Sequence, residues 1–465
     1  MRLALALAAV LAAANPADGS TISVRDHGAK GDGRALDTAA INRAIVACAR
    51  AGGGQVRFPA GQYRTATIHL KSGVHLWLEA GAVVVGDRDP ERYSSFTPPM
   101  EAPESKFGAR WHRALILGDG VEDASIQGPG VIDGSRVFDP RGEERMRGPH
   151  TILLGSSRRI ALRDITIRDS ANYAVMMEGC DDVAIHGLRV EGGWDGIHFR
   201  GWPGRPCRRI RITDCHLFTG DDAIAGRYWE DTLIAGCVLN SSCNGIRLIG
   251  PAARLVVHNC LFYGPGLHAH RTSGRTNMLA GLCLQPGAWD PTVGSLEQVS
   301  ISQATMHNVT TPLFCVVKPG NTVRDIRVAG LKATGVYLTA SSFESWAEAP
   351  IESVSLTDVW VEFRGDGGAV PPRRVAGPGV DARPLPAWGL YARRVGELRL
   401  AGVRFMCSGP VPAKALLCEE VGRLSLDGVR APPGPGALDA GGAREVVARD
   451  VAPAIPEKRN NGAGE

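Results

Sequence analysis

The sequence lacks four features that would each indicate a different kind of protein. Its formal net charge is only +4, too small to indicate a nucleic acid or a membrane surface as a partner. None of its eleven cysteines has the spacing of a zinc site. The apolar run from Leu3 to Ala14 is too short to span a bilayer, and the internal repeats do not space apolar residues by three and four. These absences exclude nucleic-acid binding, a zinc-stabilised domain, a membrane span and a helical solenoid.

The sequence does contain a repeat of apolar residues. In each copy a second apolar residue follows the first by two positions, a third follows three later, and usually a fourth two after that. The period is about 22 to 28 residues, a range typical of solenoids, and alternation by two indicates strands. We therefore predict an all-β fold, a right-handed parallel β-helix. Clear copies lie at Ile160-Leu162-Ile165-Ile167, Val183-Ile185-Leu188-Val190, Ile210-Ile212-Cys215-Leu217 and Leu255-Val257-Cys260-Phe262.

The β-helix is expected to form one domain over residues 18–452, because a solenoid grows linearly with chain length. Residues 1–17 have the basic start, short apolar run and small residues of a signal peptide, which predicts a secreted or periplasmic protein. A helix from Asp37 to Ala51, capped by Asp37, should close the open end of the solenoid. The tail, 453–465, is predicted to be disordered, and a monomer is expected.

Ten of the eleven cysteines fall into two groups. Cys215, Cys237 and Cys260 share one inward position of the repeat, which predicts a stacked ladder in the core. Other cysteines of a secreted chain are candidates for disulfides, although their pairing stays open. These candidates are Cys180, Cys207, Cys243, Cys283, Cys315, Cys407 and Cys418.

The repeat register brings several polar residues together. The position seven residues after the central apolar residue of four successive copies is occupied by Asn172, Asp195, Asp222 and Asn244. Successive turns of a parallel β-coil lie about 4.8 Å apart, so these residues should form one column, with Asp221 beside it. The same register points His198, Arg200, Arg227 and Arg247 outward next to small residues. The prediction is a substrate groove with three acids and several cations.

At these residues the chain resembles the polygalacturonase-type glycoside hydrolases, family 28. The family motif Asn-Thr-Asp-Gly is similar to Trp194-Asp195-Gly196, and Gly-Asp-Asp is intact at residues 220–222. The family's Gly-His-Gly is altered, with Asn244 in the place of histidine. The family's Arg-Ile-Lys would fall within residues 280–285, where Cys283 and Gln285 take the cation positions. The resemblance extends to about Cys260, so it covers most of the N-terminal half and more.

The resemblance implies a glycosidase acting on a pectin-like, galacturonate-containing or related acidic polysaccharide. It makes Asp221 the general acid, with Asp195 and Asp222 holding the water in an inverting reaction. Crowded carboxylates suit this chemistry, because mutual repulsion keeps one protonated while neighbouring cations keep others ionised. His198, Asn244, Arg247, Arg227 and Gln285 are the predicted substrate-binding residues. No metal or other cofactor is predicted.

Three alternatives stay open. The acids could instead cap backbone amides in the turns of the coil, as the amide side chains at both ends of the column suggest. On the same fold, a polysaccharide lyase would bind calcium through the acids and abstract a proton with Arg247. A carbohydrate-binding protein without catalysis is compatible with the missing histidine, arginine and lysine.

A loop with His268, His270, Arg271 and Arg275 is expected to form a groove wall.

Overall fold

A computed structural model describes residues 20–97, 103–289, 291–365, 373–411, 414–434 and 436–455. The predicted signal peptide, 1–17, and residues 456–465 of the predicted tail lie outside the described residues. Within these limits the chain coils into three parallel sheets of 15, 13 and 13 strands, and most turns of the coil contribute one strand to each sheet. The predicted right-handed parallel β-helix is confirmed.

The first sheet consists of strands with one apolar side facing the interior. Its strands are Ser20–Ser23, Gly54–Phe58, Val74–Leu78, Glu122–Gln127, Arg158–Arg163, Asp181–His186, Cys207–Thr213, Trp229–Ala235, Ala252–His258, Gly294–Ser302, Asn321–Ala329, Ile351–Thr357, Val395–Ala401, Val421–Asp427 and Ala443–Arg449. The second sheet consists of shorter strands. They are Asp32–Leu36, Gly61–Thr65, Ala82–Gly86, Val131–Asp133, Thr166–Arg168, Arg189–Glu191, His216–Thr219, Val238–Ser241, Leu261–Tyr263, Thr305–His307, Lys332–Val336, Trp360–Phe363 and Arg404–Cys407.

The third sheet carries the polar column and is called the site sheet below. Its strands are Ile68–His69, Ala114–Asp119, His150–Gly155, Val175–Glu178, Ile197–Arg200, Ile224–Arg227, Asn244–Leu248, Ala280–Leu284, Leu313–Val317, Ser341–Ser345, Leu390–Arg393, Leu416–Glu419 and Leu438–Asp439. Its strands are buried on both faces, since loops cover much of the outer one. Parallel strands buried on two sides are the usual arrangement.

The apolar repeat forms the interior because the register of the sheets superimposes equivalent positions. Leu162 pairs with Ile185, Ile185 with Ile212, Ile212 with Ile234, and Ile234 with Val257. All five side chains are buried. Each fully buried aliphatic side chain contributes roughly 1.5–3 kcal/mol relative to exposure, so this continuous column stabilises the five turns that it joins.

The predicted register of the site sheet is wrong at one strand. Val175, not Ala174, pairs with Ile197, so Tyr173 rather than Asn172 precedes Asp195 in the column. As a result Met176 points outward, into a cluster with Trp111 and Trp194, instead of into the core. The cause is the connection that follows strand Thr166–Arg168, which is one residue longer than its equivalent in the next turn.

The N-terminal end is closed by the α-helix Thr38–Arg50, which contacts the first strands of two sheets. Its buried face is the predicted one, Ile41, Ala44, Ile45 and Cys48. The predicted capping role of Asp37 is wrong: its carboxylate accepts the backbone N–H groups of Lys30 and Gly31 instead, at 2.7 and 2.9 Å. Short 3₁₀ helices lie at Val24–His27, Pro90–Arg92, Pro103–His112 and Glu143–Arg145. No helix in the described parts of the chain is long and apolar enough to cross a membrane.

All eleven cysteines are free, so the disulfide prediction for the seven candidates is wrong. Most of these thiols are buried among apolar side chains and carbonyl groups, and burial raises the pKa of Cys207 to about 12. The predicted ladder is confirmed, because Cys215, Cys237 and Cys260 lie in one inward column with neighbouring thiols in contact. Free cysteine here acts as a small core residue.

A thiol count tests this arrangement. Titration of the unreduced, denatured chain is expected to yield eleven thiols, and the native chain should react slowly, because only Cys407 is not buried. A thermal midpoint unchanged by reductant is expected as well. Nine thiols or fewer in the unreduced chain would show a disulfide and contradict the structure.

Candidate active site

The site is built on three consecutive strands of the site sheet. Ile197 pairs with Ile224, and Ile224 with Ile246. Asp195, Asp222 and Asn244 each precede these positions by two residues, so they form the predicted column. The turns in front of the strands are tight: a Cβ added at Gly196 would lie 2.5 Å from the carbonyl oxygen of Ala223, and one at Gly220 would lie 2.5 Å from that of Gly193. The glycines beside the acids are therefore required by the close approach of successive turns.

The acids open into a cavity of about 510 Å³ on the outer face of the site sheet. Loops from distant parts of the chain form its walls. The lining residues are Glu143, Glu144, Arg147, Tyr173, Asp195, His198, Arg200, Asp221, Asp222, Ala225, Cys243, Arg247, Ile249, His270, Arg275, Trp289 and Asp381. Below, Asp195, Asp221 and Asp222 are called the carboxylate cluster.

Asp195 is the most deeply buried acid of the cluster, with a side chain 5% exposed. Its Oδ2 lies 2.7 Å from Nδ1 of His198, whose ring stacks on Tyr173 at a centroid distance of 4.7 Å. Burial, together with the charges of Asp221 and Asp222, raises the pKa of Asp195 well above its ordinary value. Burial lowers the pKa of His198, as do nearby arginines, so this imidazole is neutral. The environment therefore favours a proton on Asp195.

Asp222 is held by its neighbours in the next turn. Its Oδ1 accepts the backbone N–H of Asn244 at 3.0 Å and the side-chain amide of the same residue at 2.8 Å. On the other oxygen, Oδ2 lies 3.6 Å from Nη1 of Arg247. Burial raises the pKa of Asp222, Arg247 opposes this, and Asp221 adds to it. Asn244 thus orients a carboxylate of the cluster and does not itself line the cavity.

Asp221 is the most exposed member of the cluster, at 14% of its side chain. Its Oδ2 lies 3.6 Å from Nη2 of Arg147 and 3.7 Å from Nε2 of His270. Burial alone would raise its pKa, but His270 and Arg147 outweigh burial and hold the pKa below its ordinary value. The cluster therefore combines carboxyl groups whose pKa values are pushed apart, which is the electrostatic pattern of acid–base sites.

The predicted binding residues differ in their access to the cavity. His198 and Arg247 line it as predicted. Arg247 also donates to the carbonyl of Val380 at 2.9 Å and lies 3.3 Å from Oδ1 of Asp381. Arg227 and Gln285 point outward in the predicted register but do not line the cavity. Gln285 is fully buried, between Arg247 and the carbonyl of Gly379, so its role is to support Arg247.

Several residues of the site were missed by the sequence analysis. Arg147 is buried, lies 3.8 Å above the ring of Trp194, and pairs with Glu143 and Glu144. Trp289 is 62% exposed and lies beside Arg247. Of the residues in the predicted groove-wall loop, His270 and Arg275 do line the cavity. The missed residues lie in insertions outside the repeat, where no register relates them to the acids.

One group of side chains has the spacing of a metal site. A carboxylate oxygen each of Asp221 and Asp222 and the Sγ of Cys243 lie within 4.8 Å of one another. A thiol is a poor ligand for calcium, which takes oxygen ligands. In addition, Arg147 and Arg247 already lie 3.6 Å from these two carboxylates. The donor set therefore does not fit the calcium site of a lyase.

Solved structures of several proteins share this fold. A family 28 exopolygalacturonase of Yersinia enterocolitica has a TM-score of 0.58 at 16% identity, covering 94% of this chain and 78% of its own. An exopolygalacturonase of Thermotoga maritima has a TM-score of 0.56 at 17% identity over 83% and 92%. The surface adhesin PfbA of Streptococcus pneumoniae has a TM-score of 0.54 at 17% identity over 87% and 92%. The fold is thus shared by hydrolases and by an adhesin.

Comparison of the sequence shows which family the chain resembles. Residues 97–247 match the model of glycosyl hydrolases family 28, and residues 21–84 match that of rhamnogalacturonase A/epimerase, pectate lyase-like. The carboxylate cluster and Arg247 lie inside the first match, so the resemblance to family 28 is confirmed. A probable polygalacturonase of Vitis vinifera is 28% identical over 46% of this chain, and an exo-poly-alpha-D-galacturonosidase of Dickeya chrysanthemi is 27% identical over 44%. The chain spans 45% and 41% of the length of these relatives.

Proposed function

We propose that this protein is a glycoside hydrolase that cleaves a galacturonate-containing polysaccharide. The observation that carries the proposal is the carboxylate cluster: three acids from two successive turns open into one cavity, and their pKa values are shifted in opposite directions. Turn capping alone does not account for this. The carboxylates of Asp195 and Asp221 face His198, His270 and Arg147 instead of the backbone of their own turns.

The mechanism follows from one proton held within the cluster. Mutual repulsion and burial favour one protonated carboxyl, and interacting acids titrate as a unit. The unliganded site favours the proton on Asp195, so the proton passes within the coupled cluster to Asp221, the most exposed of the three acids, which donates it to the leaving oxygen. Asp195 and Asp222, whose oxygens are oriented by His198 and Asn244, hold the attacking water. This is the inverting reaction that the resemblance implies.

The acidic substrate is supported by the guanidinium groups around the cavity. Arg147, Arg200, Arg247 and Arg275 all line it, and guanidinium groups bind carboxylates in a bidentate manner. Arg275 is held toward the cluster by a bond to the carbonyl of Ser242 at 2.9 Å and by one to the Sγ of Cys243 at 3.1 Å. Relatives with names that denote polygalacturonases support the same substrate class.

We further propose that the protein is secreted through residues 1–17 and that it is a monomer.

Release of reducing ends from a panel of pectic and other acidic polysaccharides tests the proposal. The wild type is expected to cleave a galacturonate polymer, and Asp222→Asn is expected to lower the rate at least about 100-fold, because the water loses its base. A folded wild type that cleaves no member of the panel would contradict the proposal.

Early product should show the inverted anomer by NMR, and retention would exclude the water-holding role of Asp195 and Asp222.

A second candidate function is carbohydrate binding without catalysis. It is favoured by Asn244, which stands where the family has histidine. A relative from Streptococcus pneumoniae, 29% identical over 37% of this chain, has a name that denotes plasmin and fibronectin binding and no glycan cleavage. Binding on a glycan array with no turnover of any bound glycan would establish this second function in place of the first.

A further inference from the structure

His270 lies in the loop between strands Leu261–Tyr263 and Ala280–Leu284, and its backbone is fixed at both groups. Its N–H donates to the carbonyl of Arg275 at 2.9 Å, and its carbonyl accepts the N–H of Gly274 at 2.8 Å. His270 as a whole is 7% exposed. Its ring packs edge to face against the indole of Trp194, at a centroid distance of 5.5 Å. The position of the imidazole is thus defined before any substrate binds.

The contacts of Nδ1 determine which nitrogen carries the proton. The backbone N–H of Ser273 donates to Nδ1 at 3.3 Å, and the hydroxyl groups of Thr272 and Ser273 lie 3.1 Å from it. A backbone N–H cannot accept a hydrogen bond, so Nδ1 must be the acceptor. The neutral imidazole then has its proton on Nε2. Nε2 is the atom that lies 3.7 Å from Oδ2 of Asp221.

The same oxygen of Asp221 also faces Arg147, at 3.6 Å from Nη2. Two donors therefore converge on Oδ2 from two loops. Because Oδ2 faces these two N–H groups, a proton on Asp221 is favoured on the other oxygen, Oδ1. Asn244 is not available for this role, because its amide binds Asp222.

We infer that His270 is a positioning residue for the reaction: its Nε2–H faces Oδ2 of Asp221 at ion-pair distance and favours Oδ1 as the oxygen that carries the transferred proton. The inference rests on the proposed function. It supplies a histidine to the cluster from a loop outside the repeat, although residue 244, where the resemblance expects one, is asparagine.

Two substitutions of His270 test whether the donor at Nε2, as opposed to the acceptor at Nδ1, is the group that is required. Glutamine places an amide donor near the position of Nε2, whereas asparagine places its amide near Nδ1 and cannot reach Asp221. His270→Asn is expected to lower kcat about 100-fold with KM changed less than twofold, since misplacement of a catalytic group by about 1 Å has an effect of this size. His270→Gln should stay within about tenfold of the wild type. His268→Asn, on the same loop but outside the cavity lining, should leave activity unchanged.

The pH profile distinguishes positioning from a structural role. Asp221 faces Arg147 and His270 and also lies near Asp222, Asp195 and Cys243. The ring of His270 faces Asp221 at Nε2, the hydroxyl groups of Thr272 and Ser273 at Nδ1, and the indole of Trp194. The pKa of Asp221 is held below its ordinary value, whereas those of Asp195 and Asp222 are raised. Loss of the Nε2–H donor raises the pKa of Asp221. Because the active cluster holds a single proton, its lower pKa sets the acid limb of the kcat/KM profile, and this limb should move to higher pH in His270→Asn but not in His270→Gln. Equal losses in both variants with an unmoved acid limb would overturn the inference.

An NMR measurement keeps the inference testable where no activity is found. In protein labelled with ¹⁵N-histidine, the signal of His270 is identified by its absence in His270→Asn. It is expected to show the Nε2–H tautomer, with a shift that changes in Asp221→Asn. The Nδ1–H tautomer would overturn the inference whatever the activity. An inactive wild type with the expected tautomer would instead contradict the proposed function alone.

Discussion

Replacement of Asp221 by asparagine is expected to lower kcat on the polymeric substrate about 10³-fold, within the range for loss of a general acid. The carboxyl of Asp221 is the most exposed of the cluster, and its Oδ2 is held by Arg147 and His270. An amide can keep contacts with these donors through its oxygen but cannot transfer a proton to the leaving oxygen. The measurement is kcat for reducing-end release, with thermal unfolding as the check on folding.

A substrate with a different leaving group tests whether Asp221 is the proton donor. On an aryl galacturonide with an acidic phenol as leaving group, little protonation is needed, so Asp221→Asn should lose only about tenfold. The matched control is Asp195→Asn, which should lose activity on both substrates because water activation is needed for both. The opposite pattern would assign the proton donor to Asp195, the residue whose raised pKa already favours a proton in the unliganded site.

The repeat made most of the fold predictable. Alternation of apolar residues by two identified the strands, and the constant spacing from the central apolar residue to the turn placed Asp195, Asp222 and Asn244 in one column. The same rule failed at Asn172, because one longer connection shifts the register by a residue and reverses the faces of the strand. Local spacing predicts a register only where the loops between strands keep their length.

The walls of the site were not predictable from the repeat. Arg147, Trp289 and Asp381 reach the cavity from three insertions, at positions far apart in the chain. Nothing in their local sequence relates them to the acids, since only the coil brings these loops to one face. The cysteine count was misleading for a similar reason. A spacing along the chain does not reveal that a thiol such as Cys180 is enclosed in the core.

The second large effect is expected at Arg247. This guanidinium is 7% exposed and lies between Asp222 and Asp381, at 3.6 and 3.3 Å. Arg247→Met should lower kcat/KM at least about 100-fold. Loss of the cation removes a carboxylate-binding group from the cavity and raises the pKa of Asp222 further, since Arg247 is the main group opposing burial there.

Stability should fall in the same variant. Removal of one partner from a buried ion pair leaves the other charge unpaired, at a cost of about 3 kcal/mol, and Asp222 is only 8% exposed at its side chain. Because the folded-state pKa of Asp222 is raised, the loss should grow as the pH rises past that raised pKa, where the carboxyl has to ionise without its partner, and should shrink as the pH falls and this carboxyl becomes protonated. Denaturant unfolding at several pH values measures this dependence.

Two controls separate the contributions of Arg247. Arg247→Lys keeps the charge but loses the planar fork, so it should retain most of the stability and lose substrate affinity. Asp381→Asn removes the exposed partner, which is 41% exposed at its side chain, and should cost little stability because solvent screens that pair. Combined with Arg247→Met, Asp381→Asn should add almost nothing, since both act through the same guanidinium. Additive losses would show that Asp381 acts independently of Arg247, and would restrict the role of the guanidinium to Asp222 and the substrate.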